Sequence, residues 1–517
     1  MKNLLLGVDL GTTNVKAAIY DQDGSLISKG EAGSYKIISK HLNWAEQDAA
    51  LWWSDTVLAI RRALASMKYD GSDIACIAVS SQGMGVLPLD EAGNPLCLAH
   101  IWMDRRAVQE AKEIEQMYGK ERIMKEFGVR SDPYYEVTNI LWIKKNCSEI
   151  WKKTKHIVLA NTYLNYKLTG CLAQDEGQAM MTMCYDIHRH CWSKELGNLL
   201  GIDFESIMPK VRKAEDILGT VTRKAAEETG LYPGTPVVVG GVDSAAALLE
   251  LGILEQGDAG EITGTSSNNF FSGKEMPPAD ARISFFSPIV ATKEIPVLLF
   301  APTNTTGENI RWLRSVLSLE GKKGPDGSPI FQYMEKLAGN VPAGCGGLYY
   351  YPYLMGERAP LWNNDVRGMY LGLSCNTGQG ELIRAVYEGT SFALKEICRE
   401  AERINGQKIK KFSVSGGCAG SALWMRIKAS VLNLPVQVTV NGGGAPKGDA
   451  ILAGYAAGIY KDIQETVKEM LQVDYVYEPV KEWTELYEEM YPVFLRMRNH
   501  LLEDLRDSAE IFRSHGF

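Results

Sequence analysis

Two short stretches of this 517-residue chain carry the residue types that phosphate chemistry uses. Asp9 is followed by Gly11, Thr12, Thr13 and Asn14, and residues 4–9 and 15–20 on either side read as the strands of a hairpin. A turn of small hydroxyl residues leaves its backbone N–H groups and hydroxyls free to face an anion. Thr12 and Thr13 can donate to phosphate oxygens, and Lys16 is near enough in sequence to reach the same anion. Asp9, at the strand end, suits magnesium, a hard cation that takes carboxylate oxygens and keeps several waters. The same chemistry returns at Gly264, Thr265, Ser266, Ser267 and Asn268, again after a strand-like segment. Phosphoryl transfer needs a phosphate cradle, a magnesium partner and a base beside the acceptor hydroxyl, with little other covalent work. Asp243 follows Gly240, Gly241 and Val242 and precedes Ser244 and a run of small residues, a position that suits a base near a helix N-terminus. Plainer accounts exist. A hairpin with a capping aspartate explains residues 9–14, and on local chemistry alone a helix N-cap is the better account of Asp243.

The elements that must position these residues are legible from periodicity. Residues 74–80 read as a buried strand, and Ser81, Gln82, Gly83, Met84 and Gly85 follow its C-terminal end, where α/β sheets place ligands. A helix beginning near Asp48 shows one apolar face at Trp53, Val57, Ile60 and Leu64. Residues 236–241 read as another strand, with a small-residue helix from 245 to 251. Ile310, Leu313 and Leu317 mark a helix after Gly307, residues 321–329 a surface loop, and charged amphipathic helices run from Ile463 onward. A strand ending at Ser415 leads into Gly416, Gly417 and Cys418 and a helix over 421–431; the glycines allow close approach of a flat ligand such as adenine, although a double glycine is commonly just a turn. Glu357 and Arg358 read as an ion pair bracing a loop. Cys184, His188, His190 and Cys191 could ligate zinc, but a polar turn between a strand over 181–187 and a helix over 193–200 explains them better.

Chain length predicts two large domains, and 45% hydrophobic with 23% charged residues is globular composition. A net charge of −8 and pI near 5.6 argue against a nucleic-acid surface and for small-molecule partners. Ten cysteines with no Cys-x-x-Cys pair read as reduced thiols, and residues 4–8 are too short an apolar run for a signal peptide or membrane span, so a cytoplasmic protein with no membrane partner is expected. Equivalent turns at Gly11 and Gly264 suggest a duplicated fold whose two phosphate loops line opposite lips of one cleft, with the joint near residues 245–255.

Across nearly the whole chain these pieces resemble the FGGY carbohydrate kinases, within the actin, hexokinase and Hsp70 ATPase superfamily. Asp9, Leu10, Gly11, Thr12 and Thr13 are similar to the first phosphate motif, Gly264, Thr265 and Ser266 to the second, Gly416 and Gly417 to the adenosine motif, and residues 240–246 to the strip carrying the catalytic aspartate. Gly368, Tyr370, Gly372, Leu373, Glu381, Leu382, Ala385, Val386, Tyr387 and Glu388 resemble the C-terminal signature, and residues 353–360 the approach to it. Trp44 to Asp48, Trp52 and Trp53, and residues 102–106 resemble the xylulose kinase group most. Two departures stand out: Gly83 and Met84 occupy the places of a Met-His pair whose histidine would bind substrate hydroxyls, and Asn139 stands where lysine is usual.

The resemblance implies two actin-like, ribonuclease H-like α/β domains, residues 1–247 and 248–517, each a mixed sheet flanked by helices, with an ATP cleft between them. It implies ATP and Mg2+, a ketose such as xylulose or another sugar or polyol as acceptor, Asp243 as base and Asp9 as the metal residue. Thr12, Thr13, Lys16, Gly264 and Thr265 would hold phosphates, Gly307, Gly416, Gly417 and Ser421 the nucleoside, and Gln82, Gly83, Met84, Asp104, Asp243 and Ser244 the sugar. The number of subunits is left open, a homodimer included. The rival from another class is a switch ATPase of the same superfamily with no sugar acceptor.

Overall fold

Leu4–Leu10 is buried at every residue, the pattern of a strand covered on both faces, and it lies at the centre of the first of two seven-stranded sheets among the described residues. The computed structural model describes residues 3–41, 43–66, 70–278, 280–439 and 444–515. It divides into two units, the first comprising residues 1–254, 285–297 and 442–471, the second residues 255–284, 298–441 and 472–517.

The sheet of the first unit runs in the order Ile217–Thr220, Pro236–Val238, Ile74–Ser81, Leu4–Leu10, Val15–Tyr20, Leu26–Ala32, and Gly241–Val242 also pairs with Ile74–Ser81. Leu4–Leu10 is antiparallel to Val15–Tyr20, which sets Asp9 opposite Lys16, and parallel to Ile74–Ser81, which sets Asp9 beside Ser80. The helix Ala49–Ala65 covers Val15–Tyr20 and Leu26–Ala32, and Ala445–Ala456 packs on Leu4–Leu10 and Ile74–Ser81. Asp48 caps the first of these helices, accepting from Ala50 N at 2.9 Å. Its buried side chains include Trp52, Trp53, Thr56, Ala59, Ile60 and Ala63, so Trp53 and Ile60 of the expected face are buried while Val57 and Leu64 are only partly covered.

The sheet of the second unit runs through Val297–Thr303, Ser267–Gly273, Asp258–Thr263, Lys411–Gly416, Val436–Thr439 and Val473–Tyr477. Asp258–Thr263 is antiparallel to Ser267–Gly273 and parallel to Lys411–Gly416, the arrangement that Leu4–Leu10 has in the first unit. Gly11 N bonds to Asn14 O at 3.0 Å and Gly264 N to Ser266 O at 2.8 Å, so each sheet has the same kind of hydroxyl-rich turn at the same topological place. The duplication read from the sequence is therefore a repeat of topology.

Two expected elements differ. The strand over 236–241 is interrupted: Gly240 adopts φ +69°, and a Cβ there would lie 2.0 Å from Val79 O, so the chain crosses flush against its neighbour before Gly241–Val242 resumes pairing. Gly416 repeats this in the second unit, at φ +94° with Thr263 O 2.0 Å from a Cβ. The strand over 181–187 shrinks to Tyr185–Asp186, because Asp175 caps a helix Glu176–Met180 through Gln178 N and the chain then turns.

Candidate functional site

Asp243 is not the cap of its helix. Val242 takes that place and Asp243 is the first residue of Asp243–Leu251, half-buried, its Oδ1 accepting from Ser244 N at 2.5 Å. The strand register puts Gly241 beside Ser80 and Val242 beside Ser81, so Asp243 and Gln82 leave the sheet side by side, at the same end as Asp9. Burial is the main cause that lifts the Asp243 carboxyl to about 7, with the charge of Asp9 adding to it; the Ser244 N–H and Lys16 oppose. Asp9, 8% exposed, is raised to about 6 by burial against the pull of Lys16.

A third carboxylate lies behind them. Asp449, from Ala445–Ala456, is fully buried and takes the Ser80 hydroxyl at 2.7 Å, and burial holds its carboxyl well above the usual range, with Asp9 and Asp243 adding to the rise. Asp9 Oδ1 and Asp449 Oδ1 are buried without a hydrogen-bond partner. Among the described residues no three His, Cys, Asp or Glu form a closed metal cage. An orphaned carboxylate oxygen on Asp9 instead fits a magnesium ion that keeps several waters and takes one protein ligand.

The two hydroxyl-rich turns are prepared alike. The Trp102 indole N–H donates to Thr12 Oγ1 at 3.0 Å, and Arg311 Nη2 donates to Thr265 Oγ1 at 2.9 Å. Each threonine oxygen thus accepts from one N–H, which leaves its own O–H to donate outward. Gln47 Nε2 holds the Thr12 carbonyl at 2.8 Å, while its Oε1 receives Trp52 Nε1 and Gln82 Nε2. Thr13 and Lys16 are exposed beside them. In the second unit Thr306 N and Glu308 N donate to Thr265 O and Gly307 N to Gly264 O, pinning the turn's carbonyls to the start of the helix Gly307–Val316.

Around Gly416 the chain passes through a 3-10 turn, Gly417–Gly420, into the helix Ala422–Leu432. Ser421 caps this helix through Trp424 N and donates to Glu335 Oε1 at 3.0 Å. A Cβ at Gly417 or Gly420 would meet nothing within 4 Å, which leaves open space at the turn.

Of the expected sugar residues, Gln82, Gly83, Met84, Asp243 and Ser244 gather at the strand ends. Asp104 is fully buried with its carboxylate already engaged by Ala45 N, Arg106 N and the Arg106 guanidinium. Arg106 lies 3.7 Å from the Trp44 ring centroid and 4.9 Å from that of Trp142, and also pairs with Glu46. Asn139 Oδ1 accepts from His100 Nδ1 at 3.0 Å, and Asn139 Nδ2 donates to Pro133 O. Glu357 accepts from Asn304 N and Arg358 N, and Arg358 donates to Thr303 O, so both brace backbone. His188 binds Lys125 O and His190 the Glu176 carboxylate.

Sequence reasoning did not assign Gln47, Ser80, Asp449, Arg311 or Glu335 to the site. Arg311 carried a signal, standing one helical turn after Gly307. Asp449 had none, since it meets Ser80 across 369 positions.

Residues 4–250 match the model of the FGGY family of carbohydrate kinases, N-terminal domain, and residues 261–457 that of its C-terminal domain. A xylulose kinase of Staphylococcus epidermidis is 28% identical, with 96% of each chain covered. A glycerol kinase of Thermococcus gammatolerans is 29% identical over 93% of this chain and 94% of its own. The crystal structure of xylulose kinase from Rhodospirillum rubrum superposes with a TM-score of 0.87 at 25% identity, covering 97% of this chain and all of that one, 100%.

Proposed function

We propose that this chain, which belongs to the FGGY family of carbohydrate kinases, transfers the γ-phosphoryl group of ATP to a hydroxyl of a small ketose, a ketopentose such as xylulose first. The observation that carries the reading is Asp243 itself: a half-buried carboxylate with its pKa near 7, beside Gln82 at the strand ends, on the same edge as the phosphate turn. A base matched to neutral pH is what proton abstraction from an alcohol uses.

Asp243 takes the hydroxyl proton as the oxygen attacks in line, and the Ser244 N–H steadies the carboxylate that receives it. Thr12, Thr13 and Lys16 orient the phosphates; Thr265, with Gly264 and Arg311, does the same from the second unit. Gly307, Gly416, Gly417 and Ser421 serve the nucleoside, and Gln82, Gly83 and Met84 the sugar. Asp104 acts through Arg106, fixing the Trp44 and Trp142 walls. Asp9 would hold Mg2+, which when bound neutralises charge on the phosphate oxygens. The protein is expected to be cytoplasmic, and no described helix is long and apolar enough to cross a membrane.

A panel of pentuloses, hexuloses, pentitols, tetritols, gluconate and glycerol, scored by ADP release, tests this. Release that depends on a ketose supports the proposal; ATP hydrolysis indifferent to every sugar supports a switch ATPase and refutes it.

A further inference from the structure

We propose that Gln47 is a positioning residue that couples the two substrates: a sugar hydroxyl taken up by Gln82 tightens nucleotide binding through Gln47, which holds the carbonyl of Thr12 in the hydroxyl-rich turn. This rests on the sugar kinase reading above. Gln47 is completely buried, on the short strand Glu46–Gln47 just before the helix Ala49–Ala65. Its amide has one workable orientation. The Trp52 indole N–H, which can only donate, meets Oε1 at 3.0 Å, and the Thr12 carbonyl, which can only accept, meets Nε2 at 2.8 Å. Gln82 therefore presents Nε2 to Gln47 Oε1, at 2.8 Å, and its own amide is fixed by that bond. Among the described residues this leaves Gln82 with Oε1, a buried acceptor without a partner, and a second amide N–H. An acceptor and a donor side by side suit a sugar hydroxyl.

The other end of this chain of bonds sets the turn. In a trans peptide the C=O and the following N–H point opposite ways, so the bond from Gln47 to the Thr12 carbonyl turns the Thr13 N–H away from Gln47. The Tyr35 hydroxyl treats the preceding peptide alike, donating to Gly11 O at 2.7 Å and turning the Thr12 N–H away from itself. Successive backbone N–H groups left unclaimed in a turn make an anion-binding concavity. Of the two braces, Gln47 is the one bonded to Gln82. Without sugar, Gln82 carries an unmet buried acceptor, and a hydroxyl that donates to it removes that cost. The same bond polarises the amides in series: Gln82 Nε2 donates more strongly to Gln47, Gln47 to the Thr12 carbonyl, and the Thr13 N–H of that peptide to a phosphate oxygen. Phosphate at the turn favours sugar by the same factor, because coupling of binding is reciprocal.

The test is titration calorimetry of ADP with and without saturating sugar, D-xylulose first and otherwise a sugar of the panel that supports turnover. In the wild type the sugar should tighten ADP by about 5- to 150-fold. Gln47→Met, which keeps the volume and has no donor, should bring that ratio below about twofold. Gln47→Asn, whose amide is one methylene too short to reach both partners, should lower it likewise as a gentler replacement. Trp52→Phe, which removes a bond off the line from Gln82 to Thr12, should keep the wild-type ratio. A purely structural Gln47 would weaken ADP equally with and without sugar. A wild-type ratio near one, an unchanged ratio in the Gln47 variants, a fold lost in both of them, or an equal loss of the ratio in Trp52→Phe overturns the proposal. In each of these cases turnover of a sugar by the wild type leaves the kinase reading standing; if no sugar of the panel is phosphorylated, both fall.

Discussion

Asp243→Asn removes one charge and one proton acceptor and changes little volume, so its effects on rate and on stability separate. General base catalysis contributes about 10²–10⁴-fold, and the variant should lose kcat by that factor while binding of a non-hydrolysable ATP analogue stays within about threefold. The stability effect has the opposite sign. A carboxyl raised from 3.8 to about 7 binds its proton more tightly folded than unfolded, so stability falls as pH rises from about 3.8 to about 7 and the penalty is complete above that. The full shift corresponds to roughly 4 kcal/mol, an upper bound for a half-buried group that solvent still screens. Asparagine lifts this penalty, so the variant should melt higher than the wild type at pH 8.5, by about 1–4 °C, and by a smaller margin at pH 5, where only part of the penalty has built up. Scanning fluorimetry at the two pH values, with coupled ADP assays and calorimetric titration of the analogue, reads all three quantities. Turnover within tenfold of wild type would refute Asp243 as base; a lower melting temperature at pH 8.5 would refute the like-charge burial.

Three further outcomes follow from the same geometry. In the wild type kcat/KM should fall as pH drops below about 7, where Asp243 becomes protonated, and plateau above it; an acid-side plateau down to pH 5 in a pH–rate profile would contradict this. Arg311→Ala should weaken ADP binding about tenfold and adenosine binding hardly at all, since the guanidinium meets the phosphate-turn threonine; equal losses in calorimetry would place it at the nucleoside instead. Arg106→Met should cost about 3–5 kcal/mol in urea unfolding by stranding the buried Asp104 and Glu46 carboxylates, whereas a stable variant with only a raised KM for sugar would return Asp104 to direct substrate contact.

What the sequence made legible was local. The Gly11 and Gly264 turns, the helices beginning near Asp48 and at 421 and the buried Leu4–Leu10 strand each follow from neighbours within a few positions, where turn chemistry and periodicity act. Asp243 was harder, because an aspartate before a helix is usually its cap; the helix begins at Asp243, two residues before the expected start, with Val242 in the cap position, so the carboxylate makes no cap bond. Side chains that prepare the site from a distance left no mark. Trp102 reaches Thr12 across 90 positions, and the buried fate of Asp104 depends on Arg106 being clamped by two tryptophans brought from separate segments.

The central claim is that the phosphoryl group goes to a sugar and not to water. Reaction in 18O-labelled water with ATP, Mg2+ and a ketose of the panel, followed by mass spectrometry of phosphate products, measures that partition directly. The account predicts a ketose phosphate formed one-for-one with ADP and carrying no label in its phosphoryl group. Labelled inorganic phosphate in the amount of the ADP released, with no sugar phosphate, would contradict it.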